Sequence, residues 1–151
     1  MERPLVYLDV CCLNRPFDDQ RQARIRLEAE AVRAVLAAVA DGDVRWLGGE
    51  VLDAEIARNP DAERRRQVQA LAALAPERVT LVEVDRQRAR GLVEAQLGTF
   101  DALHLAGAEA RRADVLLTTD DRFVRRAARV DPASPVRVLN PVTWVTEAAF
   151  R

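Results

Sequence analysis

Residues 100–123 read FDALHLAGAEARRADVLLTTDDRF, and the order of elements in this stretch decides the fold. The Ala- and Leu-rich first half predicts a helix over residues 101–112, with Thr99 as its cap. The apolar run VLLT predicts a buried strand over residues 115–118, and a helix follows over 121–128. A helix, a short apolar strand and a second helix in succession are typical of α/β proteins, in which helices connect parallel strands.

The same alternation continues on both sides of this stretch. Short apolar runs predict four more strands, over residues 5–10, 44–47, 79–84 and 136–139. Helices are predicted over residues 21–40, 50–58, 61–75 and 86–97, the last capped by Asp85, and a final helix begins near Pro141. This order indicates a three-layer α/β/α fold around a mostly parallel sheet. The length of 151 residues is that of a single domain, residues 1–151.

The composition excludes several classes of chemistry. The chain has 23 basic and 24 acidic residues, its net charge is −1, and every basic residue is an arginine. Without a lysine, a P-loop or a Schiff base is excluded. The only serine is Ser134, followed by a proline, and the only histidine is His104, so neither a Ser-His-Asp hydrolase nor a usual zinc site is expected. Carboxylates, together with a hard metal ion, remain as the means of catalysis.

The N-terminal residues and the cysteines bear on the compartment. The first residues, MERPLVYLDV, contain no long apolar segment of the signal-peptide type, and no run of 18 apolar residues follows. Cys11 and Cys12 are neighbours and would not form an ordinary disulfide with each other. We therefore expect a cytoplasmic protein with no membrane partner.

Several carboxylates fall where an α/β sheet usually binds ligands, beyond the carboxyl ends of its strands. Asp9 stands at the end of the first predicted strand and Asp120 follows the fourth, whereas Asp101 and Glu55 lie on helices. Each has a structural alternative, since an aspartate can cap a helix and Glu55 can pair with Arg58. Asp9 is the hardest to explain in this way, because a charge inside an apolar strand is costly unless it is paired or bound to a metal.

Carboxylates that converge at one edge of a sheet repel one another. They can all be ionised at the same time only around a cation such as Mg²⁺ or Mn²⁺. Metal-assisted hydrolysis of phosphodiesters uses this arrangement. The sequence therefore points to a hydrolase with an acidic metal site.

Three stretches of the chain resemble a known family. YLDVCCL (residues 7–13) is similar to the first strand of PIN domains with its invariant Asp, and GGEVLDAEI (residues 48–56) to the helix that supplies their Glu. Residues 100–123 resemble the most specific segment of the family, which ends in T-x-D-x-x-F. The PIN domain is the fold of many small metal-dependent ribonucleases and of the toxin subunit in VapC-type toxin–antitoxin pairs.

The resemblance implies an acidic pocket that binds one or two Mg²⁺ or Mn²⁺ ions and hydrolyses single-stranded or looped RNA. Its catalytic and metal-binding residues would be Asp9, Glu55, Asp101 and Asp120. Three further residues are candidates for supporting roles: Thr118, whose hydroxyl would orient a carboxylate, Asp121, and Glu50, which is the alternative to Glu55.

The resemblance also implies partners. We expect an RNA substrate, a cognate antitoxin protein that blocks the acidic pocket, and a homodimer in which residues 21–40 supply the paired surface. Arginines should surround a pocket that binds RNA, because the phosphates of RNA are negatively charged. The candidates are Arg15, Arg21, Arg24 and Arg26, and a solvated helix face explains them equally well.

Two positions depart from the family pattern. Cys11 occupies a position that is often polar, and Gly48-Gly49 replaces a hydroxyl-rich turn, so both bear on the support of the metal site. His104 follows Asp101 by three positions and either approaches the site or packs in the core, and packing is the preferred interpretation.

Other residues are expected to be structural. Asp18 and Asp19 could contribute to the nearby site, but capping of the helix that follows them is the preferred interpretation. Trp46, Trp144 and Phe150 are expected in the core or at contact surfaces and not as platforms for nucleic-acid bases.

Two other classes of function remain as alternatives. A PIN-like module could bind RNA or protein without catalysis, although the four acidic positions are intact. A phosphoacceptor domain of the receiver type shares the doubly wound sheet and the aspartates at strand ends. Such domains rely on a lysine, which this chain lacks.

Overall fold

The structure, a computed structural model, describes residues 3–147, and along them short strands alternate with helices. The strands are β1 (Leu5–Leu8), β2 (Arg45–Gly49), β3 (Glu77–Val79), β4 (Val115–Leu117) and β5 (Arg137–Leu139). The helices are α1 (Val10–Asn14), α2 (Ala23–Ala40), α3 (Glu50–Ala57), α4 (Ala62–Ala72), α5 (Glu83–Glu94), α6 (Thr99–Ala110), α7 (Asp121–Ala128) and α8 (Pro141–Glu147). A 3₁₀ turn, Arg15–Phe17, connects α1 to the segment before α2.

All the described strands form one parallel sheet in the order β3-β2-β1-β4-β5. The central strand β1 lies between β2 and β4, and its Leu8 pairs with Leu117 of β4. The carboxyl ends of these three strands therefore meet at one edge, where ligands bind in open α/β sheets. Helices cover both faces, so the predicted three-layer α/β/α class is confirmed.

The sheet is buried because helices cover it on both sides, as parallel sheets require. Every residue of β1 and β4 is buried, as the apolar sequences LVYL and VLL require. Helix α6 carries alanines on its buried side, including Ala102, Ala106 and Ala108. Small side chains allow this helix to lie close to the sheet, which places the first turn of α6 beside the carboxyl end of β1.

The strand predicted over residues 5–10 ends early, at Leu8. Asp9 is the N-cap of α1, and its carboxylate accepts a hydrogen bond from the backbone N–H of Val10. A short helix at this point was not predicted, because residues 10–13 are as apolar as a strand and periodicity cannot separate the two over so few residues.

The third predicted strand, residues 79–84, is largely wrong. β3 is Glu77–Val79, because its partner β2 ends at Gly49, which pairs with Val79. Helix α5 begins at Glu83, and Asp85 is its third residue and not its N-cap. The Asp85 carboxylate reaches back to accept a hydrogen bond from the N–H of Val82.

The sequence predicted that Asp18 or Asp19 caps α2, but neither residue does. Gln22 is the residue before the helix, and its side chain makes no capping hydrogen bond. Asp18 instead forms ion pairs with Arg15 and Arg64, which bring the 3₁₀ turn against α4.

Glu28 is a charged residue in the interior of the protein, with 1% of its surface exposed. Its carboxylate accepts hydrogen bonds from Arg15 Nε (2.9 Å), Arg24 Nε (3.2 Å) and Asn140 Nδ2 (2.6 Å). These bonds satisfy the buried charge and connect α2 to the 3₁₀ turn and to the start of α8. The apolar face of α2, which includes Ala29, Val32 and Val35, is likewise buried inside this chain.

Trp46 and Trp144 are both buried in the core, as expected, whereas Phe150 lies outside the described residues. Cys11 and Cys12 are free thiols. Across residues 3–147, no helix has the length and apolar character needed to cross a bilayer.

Candidate active site

Asp9 lies at the carboxyl end of the central strand and is 6% exposed. One carboxylate oxygen, Oδ1, accepts the N–H of Val10 at 2.8 Å, and the other, Oδ2, accepts the hydroxyl of Thr118 at 2.8 Å. The backbone N–H of Asp9 donates to the carbonyl of Leu117 at 2.9 Å, which continues the β1–β4 pairing by one residue. The side chain is therefore held in a fixed orientation from two sides.

Thr118 connects two of the predicted acidic residues. Its buried hydroxyl donates to Asp9 and accepts the N–H of Asp120 at 3.1 Å. Cys11, one of the two departures from the family pattern, also contributes here, because its sulfur accepts the N–H of Thr119 at 3.2 Å. The thiol lies 3.3 Å from the Thr118 hydroxyl, so it occupies the place of a polar side chain.

Asp120 and Asp101 belong to the first turns of two helices. Asp120 is the N-cap of α7, where its Oδ1 accepts the N–H groups of Arg122 and Phe123. Asp101 is the third residue of α6. Burial and the negative charges of Asp9 and Asp120 raise the pKa of Asp101 from 3.8 to about 7. The carboxylates thus repel one another across a shared space, as expected from their convergence.

Glu55 forms a hydrogen bond with His104. It does not form the ion pair with Arg58 that was the alternative explanation of this residue. Its Oε1 lies 2.8 Å from Nε2 of His104, which is completely buried. The same nitrogen lies 3.5 Å from Oδ1 of Asp9. On the other side of the ring, Nδ1 lies 2.5 Å from the hydroxyl of Tyr7. His104 is satisfied on both nitrogens, as expected for a core histidine, but one of its partners belongs to the acidic group.

The partners of the His104 ring determine where its protons are. A carboxylate only accepts, so Nε2 carries a hydrogen that it donates to Glu55. Burial and the charge of Asp9 raise the pKa of Tyr7 well above its ordinary value, so the hydroxyl keeps its proton and donates it to Nδ1 of the neutral ring. Burial opposes a charge on His104, but the bond to Glu55 and the charge of Asp9 raise its pKa overall. While Nε2 donates to Glu55, it has no lone pair for a metal ion.

The four predicted acidic residues line one cleft of about 370 Å³ at the carboxyl edge of the sheet. The remaining lining residues are Val10, Cys11, Asn14 and Arg15. Arg15 is the one cation of the described lining, and its guanidinium is already bound to Asp18 at 2.7 Å and Glu28 at 2.9 Å. The carboxylates therefore have no cation of their own in the cleft.

A hard divalent cation fits this donor set. Asp9, Glu55 and His104 each offer an atom within 4.8 Å of the others, which is a spacing suitable for a metal ion. Because His104 uses Nε2 to donate to Glu55, the ligands offered to a metal are carboxylate oxygens, the atoms that Mg²⁺ and Mn²⁺ prefer.

The fold, the cleft and the sequence agree with one protein family. The family profile described as PIN domain matches residues 6–129. The chain belongs to the PIN-domain family. No match was found among the curated proteins.

A solved structure shares the fold of this PIN domain. It is the structure of VapBC2 from Rickettsia felis bound to a DNA fragment from the VapBC2 promoter. The comparison with this chain gives a TM-score of 0.60 and 12% sequence identity. The match covers 90% of this chain and 98% of the other. At this identity the similarity concerns the arrangement of strands and helices.

Two of the candidate supporting residues of the PIN domain do not line the cleft. The carboxylate of Glu50 accepts the backbone N–H of Leu81 at 2.8 Å and thus binds the segment between β3 and α5. Asp121 is exposed and forms an ion pair with Arg24 at 2.8 Å. Thr118, the third candidate, contacts the acidic residues directly.

The arginines predicted to surround the cleft are largely engaged elsewhere. Arg15 and Arg24 share the buried carboxylate of Glu28. Arg21 pairs with Asp19, and Arg26 donates to the carbonyl of Gln20. Of these arginines, Arg15 alone is a lining residue of the acidic cleft.

Sequence reasoning missed Tyr7 and undervalued His104. Two sequence signals for these residues exist in retrospect. Tyr7 precedes Asp9 by two positions in an extended segment, and His104 follows Asp101 by three positions on a helix, which places each near the face of its acidic neighbour. The hydrogen bonds that link them to Glu55 depend on the tertiary structure.

Proposed function

We propose that this PIN domain is a metal-dependent endoribonuclease, with Mg²⁺ or Mn²⁺ as its cofactor. The observation that carries the proposal is the convergence of Asp9, Glu55, Asp101 and Asp120 on one cleft whose only described cation is bound elsewhere. Negative charges arranged in this way destabilise the folded chain unless a cation binds between them. Burial, and after it the negative charges of Asp9 and Asp120, raise the pKa of Asp101 to about 7, in agreement with that repulsion.

The four carboxylates would hold the metal ion or ions. A bound divalent ion supplies Lewis-acid activation of water and of the scissile phosphodiester. The role of the protein is to fix the carboxylates before substrate arrives: Thr118 orients Asp9, and the N–H donors of α7 orient Asp120. Tyr7 and His104 direct Glu55 toward the cleft. Such supporting hydrogen bonds commonly determine metal affinity.

The partners follow from the same proposal. The substrate is RNA, and the PIN domain acts as the toxin of a toxin–antitoxin pair, in which an antitoxin covers the acidic cleft. The similarity to VapBC2 supports this assignment only through the shared arrangement of strands and helices. A homodimer is also proposed; Ala29, Val32 and Val35 of α2 are buried within the chain, so α2 would pair through its outer side, where Leu27 is exposed. Sedimentation of the purified protein measures whether it pairs.

The test is cleavage of a mixed RNA preparation with and without Mn²⁺ or Mg²⁺, by the wild type and by Asp9→Asn. Asp43→Asn is the matched control, because Asp43 is an exposed aspartate in the turn before β2, at the opposite edge of the sheet. We expect metal-dependent cleavage by the wild type and the control but not by Asp9→Asn. Cleavage that persists in Asp9→Asn or in excess chelator contradicts the proposal.

Absence of cleavage by a folded protein would favour a binding module. Calorimetric titration with Mn²⁺ separates the alternatives, because a nuclease with an unusual substrate still binds metal through the acidic cleft. Loss of that binding in Asp9→Asn is expected if the cleft is the metal site.

A further inference from the structure

A second cavity, of about 350 Å³, adjoins the acidic cleft. The two share Val10, Asn14 and Glu55 as lining residues, so a ligand bound in the cleft lies directly beside the cavity. The far side of the cavity is formed in part by Arg58 and Phe100. Its volume is at the lower end of the range of about 300–1,000 Å³ typical of small-ligand sites.

Arg58 is the exposed residue that ends α3, three positions after Glu55. Its guanidinium carbon lies 5.3 Å from the centre of the Phe100 ring. Within residues 3–147 no carboxylate pairs with it, in contrast to the arginines on the other side of the cleft. Arg15, Arg24 and Arg64 all pair with acidic side chains. Arg58 is thus the cation next to the cleft whose charge is still available.

Phe100 places an aromatic ring directly before Asp101 in the first turn of α6. The ring is partly buried, which fixes it against the core and leaves part of it to the cavity. The guanidinium of Arg58 lies over the face of the Phe100 ring, so a base would stack on this pair and a phosphate would bind the edge of the guanidinium. The pair therefore matches the two chemical parts of a nucleotide.

We infer that this cavity binds one nucleotide of a single-stranded RNA, next to the phosphodiester held in the acidic cleft, through Arg58 and Phe100. The inference rests on the proposed ribonuclease function. It adds the residues that bind the RNA strand beside the acidic cleft. A protein ligand could also use both groups, with an acidic side chain on Arg58 and an apolar side chain on Phe100. RNA is favoured because the cavity adjoins the acidic cleft, in which the phosphodiester is proposed to bind.

The experiment measures RNA affinity by fluorescence anisotropy, with a labelled single strand of about 12 nucleotides. The Asp9→Asn background prevents cleavage, and the variants added to it are Arg58→Gln, Arg58→Lys and Phe100→Leu. Arg129→Gln is the matched control, because Arg129 is an exposed arginine that ends α7, nine positions beyond Asp120. Each titration is repeated over a series of salt concentrations.

We expect Arg58→Gln to weaken binding about fivefold or more and to reduce the slope of log affinity against log salt by about 0.7, the value for one phosphate contact with a single strand. Arg58→Lys keeps the slope, because it keeps the charge. Phe100→Leu weakens binding with an unchanged slope, because stacking involves no counterion release. Arg129→Gln changes neither quantity.

The same variants in the wild-type background separate this inference from the proposed function. If the wild type cleaves RNA and Arg58→Gln raises KM while kcat stays within about twofold, both stand. If the wild type cleaves but Arg58→Gln leaves KM, affinity and slope unchanged, the nucleotide site is overturned and the cavity is left to a protein ligand. If Asp9→Asn leaves cleavage unchanged, the proposed ribonuclease function is contradicted, whatever the effect of Arg58→Gln.

Discussion

The hydroxyl of Tyr7 lies 2.5 Å from Nδ1 of His104, and the opposite nitrogen of that ring lies 2.8 Å from Glu55. Tyr7 is in the central strand, His104 in α6 and Glu55 in α3, so one chain of hydrogen bonds spans three elements. Both Tyr7 and His104 are buried, so water cannot replace a lost hydrogen-bond partner. The loss of either partner therefore has a cost in the free energy of folding.

Replacing Tyr7 by Phe tests the structural part of this chain. The substitution keeps the ring but leaves Nδ1 of His104 without its donor in the interior. We expect the free energy of unfolding to fall by about 1–3 kcal/mol, measured by urea denaturation. An unchanged midpoint and slope would mean that the hydroxyl and the imidazole do not interact.

Replacing His104 distinguishes a donor to Glu55 from a metal ligand. His104→Gln retains an N–H group near the position of Nε2, whereas His104→Leu removes it. We expect His104→Leu to weaken Mn²⁺ binding about 10- to 100-fold and His104→Gln to weaken it much less. Equal losses in the two variants would point to direct coordination by the imidazole.

Thr118 supports both Asp9 and Asp120 through one hydroxyl. Thr118→Val keeps the shape of the side chain and removes both hydrogen bonds, so we expect a loss of about 1–3 kcal/mol in stability together with weaker Mn²⁺ binding. Thr118→Ser is the control, because it keeps the hydroxyl and should retain metal binding. Calorimetry and urea denaturation measure the two effects separately.

The raised pKa of Asp101 predicts a pH dependence of the metal-free protein. The carboxyl is protonated more readily in the folded chain than in the unfolded one, so the stability it contributes is full below about pH 4 and is lost as the pH rises through about 7. Asp101→Asn does not titrate. In chelator, we expect this variant to gain stability relative to the wild type across that interval.

Addition of Mg²⁺ or Mn²⁺ should reverse that order. The ion stabilises the wild type by about 2.7 kcal/mol at 100 times its dissociation constant and stabilises Asp101→Asn less. Thermal unfolding in chelator and in metal, from about pH 4 to pH 8, provides both measurements. A wild type whose stability in chelator does not change relative to Asp101→Asn over this pH range would contradict the raised pKa of Asp101.

Asp121 follows Asp120 in sequence but should not contribute to catalysis. It is exposed and paired with Arg24, outside the lining of the cleft. We expect Asp121→Asn to change stability by less than about 1 kcal/mol, as for other surface ion pairs, and to leave RNA cleavage and metal affinity unchanged. A loss of cleavage comparable to that of Asp120→Asn would place Asp121 in the site.

The sequence predicted the parts of this protein that depend on local pattern. The alternation of elements, the strand Val115–Leu117 and the start of α7 follow from apolar runs and helix starts. Helix α6 begins two residues earlier than predicted, so Gly98 and not Thr99 is its N-cap. The position of β3 did not follow, because it depends on where the neighbouring β2 ends. Local pattern also could not assign the arginines, since Arg15 and Arg24 are held by Glu28, whose burial arises only when α2, the 3₁₀ turn and α8 come together.

The turn between β2 and α3 has little room for any side chain. A Cβ on Gly49 would meet the carbonyl oxygen of Val79, and a Cβ on Gly48 would lie 3.0 Å from Cβ of Ala75. A side chain at Gly49 would therefore require β3 to move, and one at Gly48 would require Ala75 to shift. Because α3 begins at the next residue, this crowding also holds fixed the start of the helix that carries Glu55.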